Sequence, residues 1–191
     1  MLKITSNYPT ATGVLNNYKK YVVLAAKRNL SGKHKGSGAL SRSIKGYIDK
    51  KFNRSLAGKF TGGSSLPSLT FEFNSYGEYL DKGVKGSKSN YMANAASPYK
   101  FGRNMDKKSV PVAPIKKWLA SKGLNQKLAY AVAKSIYQKG IERTLFFSKP
   151  FEKRYKPMIR AYHSAVADDI ARNVANQLEK KLKQRKTLNK K

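Results

Sequence analysis

The feature that most constrains this chain is its charge. Its 191 residues include 40 lysines and arginines against 10 aspartates and glutamates, which gives a formal net charge of +30. Such an excess opposes a compact fold through self-repulsion and favours a negatively charged partner: a nucleic acid, an anionic membrane face or an acidic protein surface. Seven of the basic residues lie in the last 13 positions, EKKLKQRKTLNKK, and the others are spread along the chain.

The composition nevertheless predicts a folded protein. The hydrophobic fraction is 40%, with 12 tyrosines and 8 phenylalanines, which is enough to build a core in a chain of this length. The chain has no cysteine and two histidines, so we expect neither a disulfide, nor a thiol nucleophile, nor a metal site, and we expect no cofactor. Apolar runs stay well short of the roughly 18 residues that a membrane-spanning helix needs, so we expect no membrane partner.

The apolar pattern of the first half predicts one helix and a small sheet. Apolar residues recur at helical spacing over 14–30, and Thr10 or Thr12 is a candidate cap for this helix. Residues 43–52 are compatible with either a strand or a short helix. The alternating segment LTFEF, residues 69–73, predicts a strand, whereas residues 87–110 lack periodicity and predict a long loop.

The second half predicts three helices. A helix pair begins near Pro114, turns at Gly123, is capped again by Asn125 and ends at Gly140. Its predicted apolar faces are Ile115, Trp118 and Leu119 in the first helix, and Leu128, Ala131, Val132, Ser135 and Ile136 in the second. A long C-terminal helix follows from residue 150, kinked or restarted at Pro157. The sum is an α+β fold with an N-terminal helix, a small antiparallel sheet, a helix pair and a long C-terminal helix.

The segment YGEYLDKGVKG, residues 76–86, contains the best candidates for catalysis. Glu78 and Asp81 are three residues apart, so one helical turn would bring both carboxylates to a common face for general acid–base work. No nucleophile, metal ligand or second base accompanies them, and we expect them to pair with lysines or to cap backbone amides instead. The glycine-containing loops GKHKGSG and GVKGSKS lack the spacing of a phosphate-binding loop. We therefore expect no catalytic residue and no enzymatic activity.

Exposed aromatic rings could stack on bases in a single-strand binder. Trp118 and the pair Phe146–Phe147 are the candidates, but they fall at helical core or connector positions, which favours packing in the core. His163 lies beside the apolar stripe of the last helix, where a boundary position is more common than a ligand.

Three short segments, taken in order, carry a further pattern. GALSRSIKGYI (38–48) follows the first helix and its loop, YGEYLDKG (76–83) follows the predicted strand, and TLFFSKPFEKRYKPMIRAYHSAV (144–166) begins the last helix. The second segment is similar to a tyrosine, small residue, tyrosine, acid, glycine motif, matched here by Tyr76, Gly77, Tyr79, Asp81 and Gly83. In this order the segments resemble the tail-completion, or head–tail joining (neck), proteins of tailed bacteriophages.

The resemblance implies a structural virion protein that is made in the host cytoplasm and forms a homo-oligomeric ring in the neck or tail. Such a ring joins the portal or adaptor to the tail and lines or surrounds the DNA channel. It also implies a structural elbow at Tyr76, Tyr79, Asp81 and Gly83. In this elbow Gly83 and Gly86 permit positive φ, and we expect the tyrosine rings to be buried and the acid to meet nearby lysines. The implied organisation is one domain over 1–178, with an inserted loop and helix pair at about 87–140, and a basic tail over 179–191.

In this interpretation the basic side chains contact acidic neighbouring proteins and, without sequence preference, the packaged DNA. The predicted contact residues in loops are Lys33, Lys35, Lys85, Lys88, Arg103, Lys107 and Lys108, and those in the tail are Lys180, Lys181, Lys183, Arg185 and Lys186. The alternative is a free, non-specific nucleic-acid-binding protein. A nuclease is a third possibility, but it needs clustered carboxylates for its metal ions, and the ten acids are scattered.

Overall fold

A computed structural model of the protein describes residues 8–31, 38–49, 66–88, 92–102 and 110–188. In these residues the predicted α+β fold is confirmed, with helices and two short antiparallel sheets where a single sheet was predicted. The chain divides into two compact units. The first comprises Met1–Glu72 and Lys149–Lys191, and the second comprises Phe73–Ser148, which includes the predicted insert.

The first unit begins with helix α1, Pro9–Ser31, which confirms the predicted helix but starts five residues earlier. Thr10 and Thr12 lie inside it, so neither is the N-terminal cap that the sequence suggested. The buried residues of α1 recur every three or four positions, as one face of an amphipathic helix requires. They are Ala11, Leu15, Tyr18, Val22, Ala26 and Leu30.

A short helix and one antiparallel strand pair follow in the first unit. Helix α2 spans Ala39–Ser43, strand β1 spans Lys45–Asp49, and strand β2 spans Ser68–Glu72. The two strands pair with Tyr47 opposite Thr70. The alternating segment is therefore a strand, as predicted, and the ambiguous segment contains the end of a helix and then a strand.

Three aromatic rings pack edge to face in the core of the first unit. The ring centroids of Tyr18, Phe71 and Phe151 lie 5.8–6.3 Å apart, a geometry that favours the contact of positive ring edges with negative ring faces. The Tyr18 hydroxyl donates a 2.6 Å hydrogen bond to the Phe151 carbonyl. Burial raises the pKa of Tyr18 to about 12, with smaller contributions from Tyr155 and Tyr21.

The second unit holds the predicted helix pair. Its elements are α3 (Tyr76–Lys82), β3 (Val84–Lys85), a 3₁₀ turn (Met92–Asn94), α4 (Val112–Ser121), a second 3₁₀ turn (Gln126–Leu128), α5 (Ala129–Lys139) and β4 (Gly140–Ile141). Strands β3 and β4 pair antiparallel. Asn125 accepts a 2.9 Å hydrogen bond from the backbone N–H of Lys127, which confirms its capping role. Gly123 and Gly140 adopt φ of 68° and 92°, so the predicted helix ends are also confirmed.

The buried faces of the helix pair differ from the prediction. Residues Ala129, Ala133 and Tyr137 of α5 are buried, whereas the predicted Leu128 and Ala131 are exposed. The predicted Val132, Ser135 and Ile136 are partly buried. The buried face is rotated because Ala133 and Tyr137 pack with Val110, and Phe101 packs against the same cluster; Val110 and Phe101 lie outside the predicted helix.

The aromatic candidates for base stacking differ in burial. Phe146 is fully buried and Phe147 partly so, and both rings pack against Phe73, as core packing predicts. Trp118 is 45% exposed, so its prediction as a core residue was wrong. The neighbouring Leu119, at 1% exposure, is the buried residue of α4, and the predicted Ile115 is partly buried against the Tyr137 cluster.

The last element is helix α6, Ser148–Leu188, a single helix of 41 residues. The sequence predicted a kink or a restart at Pro157; the helix continues through this residue, so the restart was wrong. Pro157 and the residues before it are exposed, where water can satisfy the carbonyl that loses its helical partner. Helix α6 includes the predicted tail residues up to Leu188 and is about 60 Å long at 1.5 Å per residue. None of the described helices is both long and apolar enough to cross a membrane.

Candidate functional site

The acidic segment of α3 ends in a buried carboxylate, Asp81, that binds backbone. Asp81 is 3% exposed and accepts hydrogen bonds from the N–H groups of Phe147 (2.7 Å) and Ser148 (3.2 Å) and from the Ser148 hydroxyl. These donors lie at the first turn of α6, where four N–H groups have no partner within the helix. Asp81 therefore caps the start of α6, one of the two roles that the sequence favoured. The other predicted role was pairing with a lysine, but these hydrogen bonds of Asp81 come from backbone N–H groups and a serine hydroxyl.

Backbone hydrogen bonds from residues 144–145 to the end of α3 reinforce this contact. We call these bonds, together with the contacts of Asp81 to Phe147 and Ser148, the Asp81 clamp. The N–H groups of Thr144 and Leu145 donate 3.0 Å hydrogen bonds to the carbonyls of Leu80 and Asp81. Leu145 adopts φ of 49°, a left-handed conformation that costs a non-glycine residue about 1 kcal/mol or more. The clamp holds this strained residue between the end of α3 and the start of α6.

Gly83 follows α3 and is the one residue type that fits its position. Its φ is 74°, and an added Cβ would meet the side-chain amide of Asn94 and lie 2.9 Å from the backbone nitrogen of Arg143. Asn94 is fully buried, and its amide nitrogen donates to the carbonyls of Val84 (3.0 Å) and Ile141 (2.5 Å). Its amide oxygen accepts from the N–H of Arg143 at 2.9 Å. The positive φ predicted at Gly83 is confirmed, and the sequence carried no signal for Asn94.

The tyrosines of the segment are not buried, contrary to the reasoning from sequence. Tyr76 and Tyr79 are 48% and 47% exposed. The Tyr79 ring packs edge to face on Tyr99 at 4.6 Å between centroids. The contact lies at the surface, whereas Asp81, Asn94 and Val84 are the buried side chains at this turn.

Glu78 lies beside this surface pair of tyrosines and contacts Tyr99. Its carboxylate accepts a 2.8 Å hydrogen bond from Lys82, one turn further along α3. Hydrogen bonds from Lys82 and from Tyr99 lower the pKa of Glu78, and the same contacts raise the pKa of Lys82 and of Tyr99. The ion pair is exposed on both sides, so it contributes little to folding. Glu78 and Asp81 thus perform separate tasks and do not form an acid–base pair.

The predicted contact lysines and arginines lie in different settings. Lys85 is in strand β3 and not in a loop, with its backbone bonded to Tyr99 and Phe101 on one side and paired with Gly140 on the other. Lys88 is exposed. Lys33, Lys35, Arg103, Lys107 and Lys108 lie outside the described residues. Lys180, Lys181, Lys183, Arg185 and Lys186 are all exposed and helical, within the last turns of α6.

A second buried carboxylate, Asp169 of α6, was missed by the sequence reasoning. It is 2% exposed and accepts hydrogen bonds from the N–H groups of Ala11 (2.9 Å) and Thr10 (3.3 Å), so it caps α1 from a position more than 150 residues away. Burial acts to raise the pKa of Asp169, but these N–H groups and the Arg172 guanidinium outweigh it and lower the pKa. The available signal was an acid on the core-facing side of α6, four residues after the buried Ala165.

The described residues contain no group of three histidine, aspartate or glutamate side chains that could hold a metal ion. An open apolar groove of about 300 Å³ lies in the first unit against Val14, Tyr18 and Met158, with Arg154 as its charged residue. The Arg154 guanidinium stacks over the Tyr21 ring at 4.0 Å.

No family model, curated protein or solved structure matches this chain.

Proposed function

We propose that this chain is a structural subunit of a ring at the head–tail junction of a tailed bacteriophage. In this role it joins the portal or adaptor to the tail and surrounds the DNA channel. Its basic side chains bind acidic neighbours and DNA phosphates. Cyclic rings are built from head-to-tail contacts between identical subunits, which need rigid surfaces and no catalytic group.

The Asp81 clamp is the observation that carries the proposal. Two of the three segments on which the phage resemblance rests, residues 76–83 and 144–166, meet in this clamp through the contacts of Asp81 with Phe147 and Ser148. The only buried acid of the first segment is therefore used to hold the beginning of the other. This supports an architectural role for the two segments, since a buried carboxylate that is hydrogen-bonded to two backbone N–H groups and a serine hydroxyl is not positioned to contact a substrate.

Locating the protein in particles tests the proposal. Virions of the phage that encodes the chain would be purified, and the protein carrying a short C-terminal tag would be labelled with gold for electron microscopy. We expect label between head and tail and several copies per particle. A phage lacking the gene should accumulate DNA-filled heads and separate tails, because each part is assembled without the joint. Intact virions that lack the protein would refute the proposal.

The end of α6 favours a second candidate, a free non-specific nucleic-acid-binding protein. Five basic side chains are exposed within residues 180–186. If these five neutralise phosphates, the logarithm of the binding constant for duplex DNA should fall with the logarithm of salt concentration with a slope of about −4 to −5. This candidate requires the isolated monomer to bind duplex DNA with a dissociation constant of about 10⁻⁶ M or lower at physiological salt. The ring subunit requires no such affinity before assembly.

A further inference from the structure

The C-terminal part of α6 carries an apolar ridge that no other element of the described residues covers. Ile170, Val174, Leu178 and Leu182 follow one another at intervals of four residues and are 43–58% exposed. Residues four apart lie on one side of a helix, so these side chains form a continuous row about 18 Å long. No residue from 170 to 186 is buried. We call residues 170–186 the arm.

Charge is divided unevenly along the arm. Residues 170–179 contain one basic and one acidic side chain, Arg172 and Glu179, and are neutral overall. Residues 180–186 contain five basic and no acidic side chains. Helical spacing places Lys181 and Arg185 one turn beyond Leu178 and Leu182, so both charges border the ridge. The arm thus offers an apolar row with a basic border at one end.

A second copy of this chain does not suit the arm. Parallel pairing of two arms would set the basic ends side by side, and like charges in contact are destabilising. Three of the acids are already engaged, Asp81 and Asp169 by backbone N–H groups and Glu78 by Lys82. With 10 acids against 40 basic residues, another copy has little acidic surface to offer.

Nucleic acid also fits only one part of the arm. Phosphates complement the basic end, but they leave four large apolar side chains in water, and a helix built to follow phosphates carries its charges along its whole length. An acidic protein surface with an apolar groove satisfies both parts, in the way that amphipathic helices commonly dock. We propose that the arm binds an apolar groove with an acidic rim on a different protein. The inference rests on the proposed function only in taking that protein to be a neighbour in the virion.

A designed peptide tests the surface directly. The probe is a fluorescent helical peptide of about 20 residues with leucines at heptad positions a and d and glutamates beside them. Two control peptides replace either the leucines by serine or the glutamates by lysine. Binding to the full-length protein is measured by fluorescence anisotropy, and sedimentation follows its oligomeric state. We expect the acidic leucine peptide to bind at least about tenfold more tightly than either control.

Matched variants assign the binding to the arm. Leu178→Gln with Leu182→Gln should weaken binding of the acidic peptide at least about tenfold, and so should Lys181→Glu with Arg185→Glu. Asn176→Gln and Lys180→Glu, on the opposite side of the helix, are the controls and should change it less than about twofold. Because all these side chains are exposed, we expect every variant to fold, and circular dichroism checks this.

Three outcomes would overturn the inference. Equal binding of the serine-containing acidic peptide would mean that the ridge is not used. Loss of self-association in the leucine variants would identify a second copy as the occupant. The third outcome is competition between a duplex of about 20 base pairs and the acidic peptide. If the leucine variants changed neither duplex binding nor peptide binding, that competition would identify the arm as a nucleic-acid surface. Each of these results leaves the location of the protein in virions unaltered, so failure of this inference is distinct from failure of the proposed function.

Discussion

Removing the carboxylate of the Asp81 clamp should destabilise the fold strongly. Asp81→Ala removes the acceptor from the N–H groups of Phe147 and Ser148, while the Ser148 hydroxyl can turn to another partner. A hydrogen bond to a charged acceptor contributes about 1.5–3 kcal/mol, and loss of a helix cap costs about 0.5–2 kcal/mol. Because Asp81 is buried and water is excluded, we expect the free energy of unfolding to fall by about 3–4 kcal/mol.

Chemical and thermal denaturation measure this loss. Far-ultraviolet circular dichroism follows the helices, and the fluorescence of the single tryptophan, Trp118, follows the unit that contains the clamp. In a chain of this size each 1 kcal/mol lowers the melting temperature by about 2–4 °C, so we expect a decrease of about 6–16 °C. Asp81→Asn keeps one acceptor oxygen for the two N–H groups and should lose only about 1–2 kcal/mol.

Glu78→Ala is the matched control for this experiment. It removes an acid from the same helix, but the side chain is exposed and contacts Lys82 and Tyr99 at the surface. We expect no measurable change in its denaturation midpoint. Equal midpoint shifts in Asp81→Ala and Glu78→Ala would refute the reasoning, because burial and the backbone donors would then make no difference.

Three further substitutions test the described contacts. Asp169→Asn should lower stability by about 1 kcal/mol at neutral pH. Since the lowered pKa of Asp169 makes its contribution present above about pH 4 and lost as pH falls through that pKa, the difference between wild type and variant should shrink in acid. Gly83→Ala should cost about 2 kcal/mol or more, because φ is positive and the added Cβ clashes. The control Gly13→Ala, with open space inside α1, should stabilise by about 0.5–1 kcal/mol; equal effects in urea denaturation would contradict this. Tyr18→Phe should remove the Phe151 hydrogen bond and cost about 1 kcal/mol. Because the pKa of Tyr18 is raised to about 12, its contribution is full below about pH 10 and lost as pH rises through 12; an ultraviolet titration in which all tyrosines ionise together near pH 10 would contradict this.

Features encoded within a few residues were predictable from the sequence. The apolar spacing of α1, the alternation in β2 and the cap at Asn125 each depend on neighbours within about one or two turns of chain. The glycine that ends α5, Gly140, belongs to the same class. For Asp81 the sequence narrowed the choice to a lysine partner or backbone amides.

Features that depend on distant segments were not predictable. Asp169 caps α1, and Asn94 fills the space beside Gly83, through contacts that no local pattern encodes. The exposure of Trp118 and of Tyr79 also depends on distant segments, because an aromatic side chain is buried only where another element packs against it. Sequence alone could name these side chains but not their surroundings.

By itself, the amino-acid sequence determined the charge excess, the α+β class and the ends of the helix pair, because each follows from composition or from periodicity along a short stretch. Within the described residues, the tertiary structure decided which acids are buried against backbone donors and which apolar row of α6 is left uncovered. The physical reason is that helix propensity acts between neighbours in the chain, whereas burial and hydrogen-bond partners depend on which residues far apart in sequence meet in space.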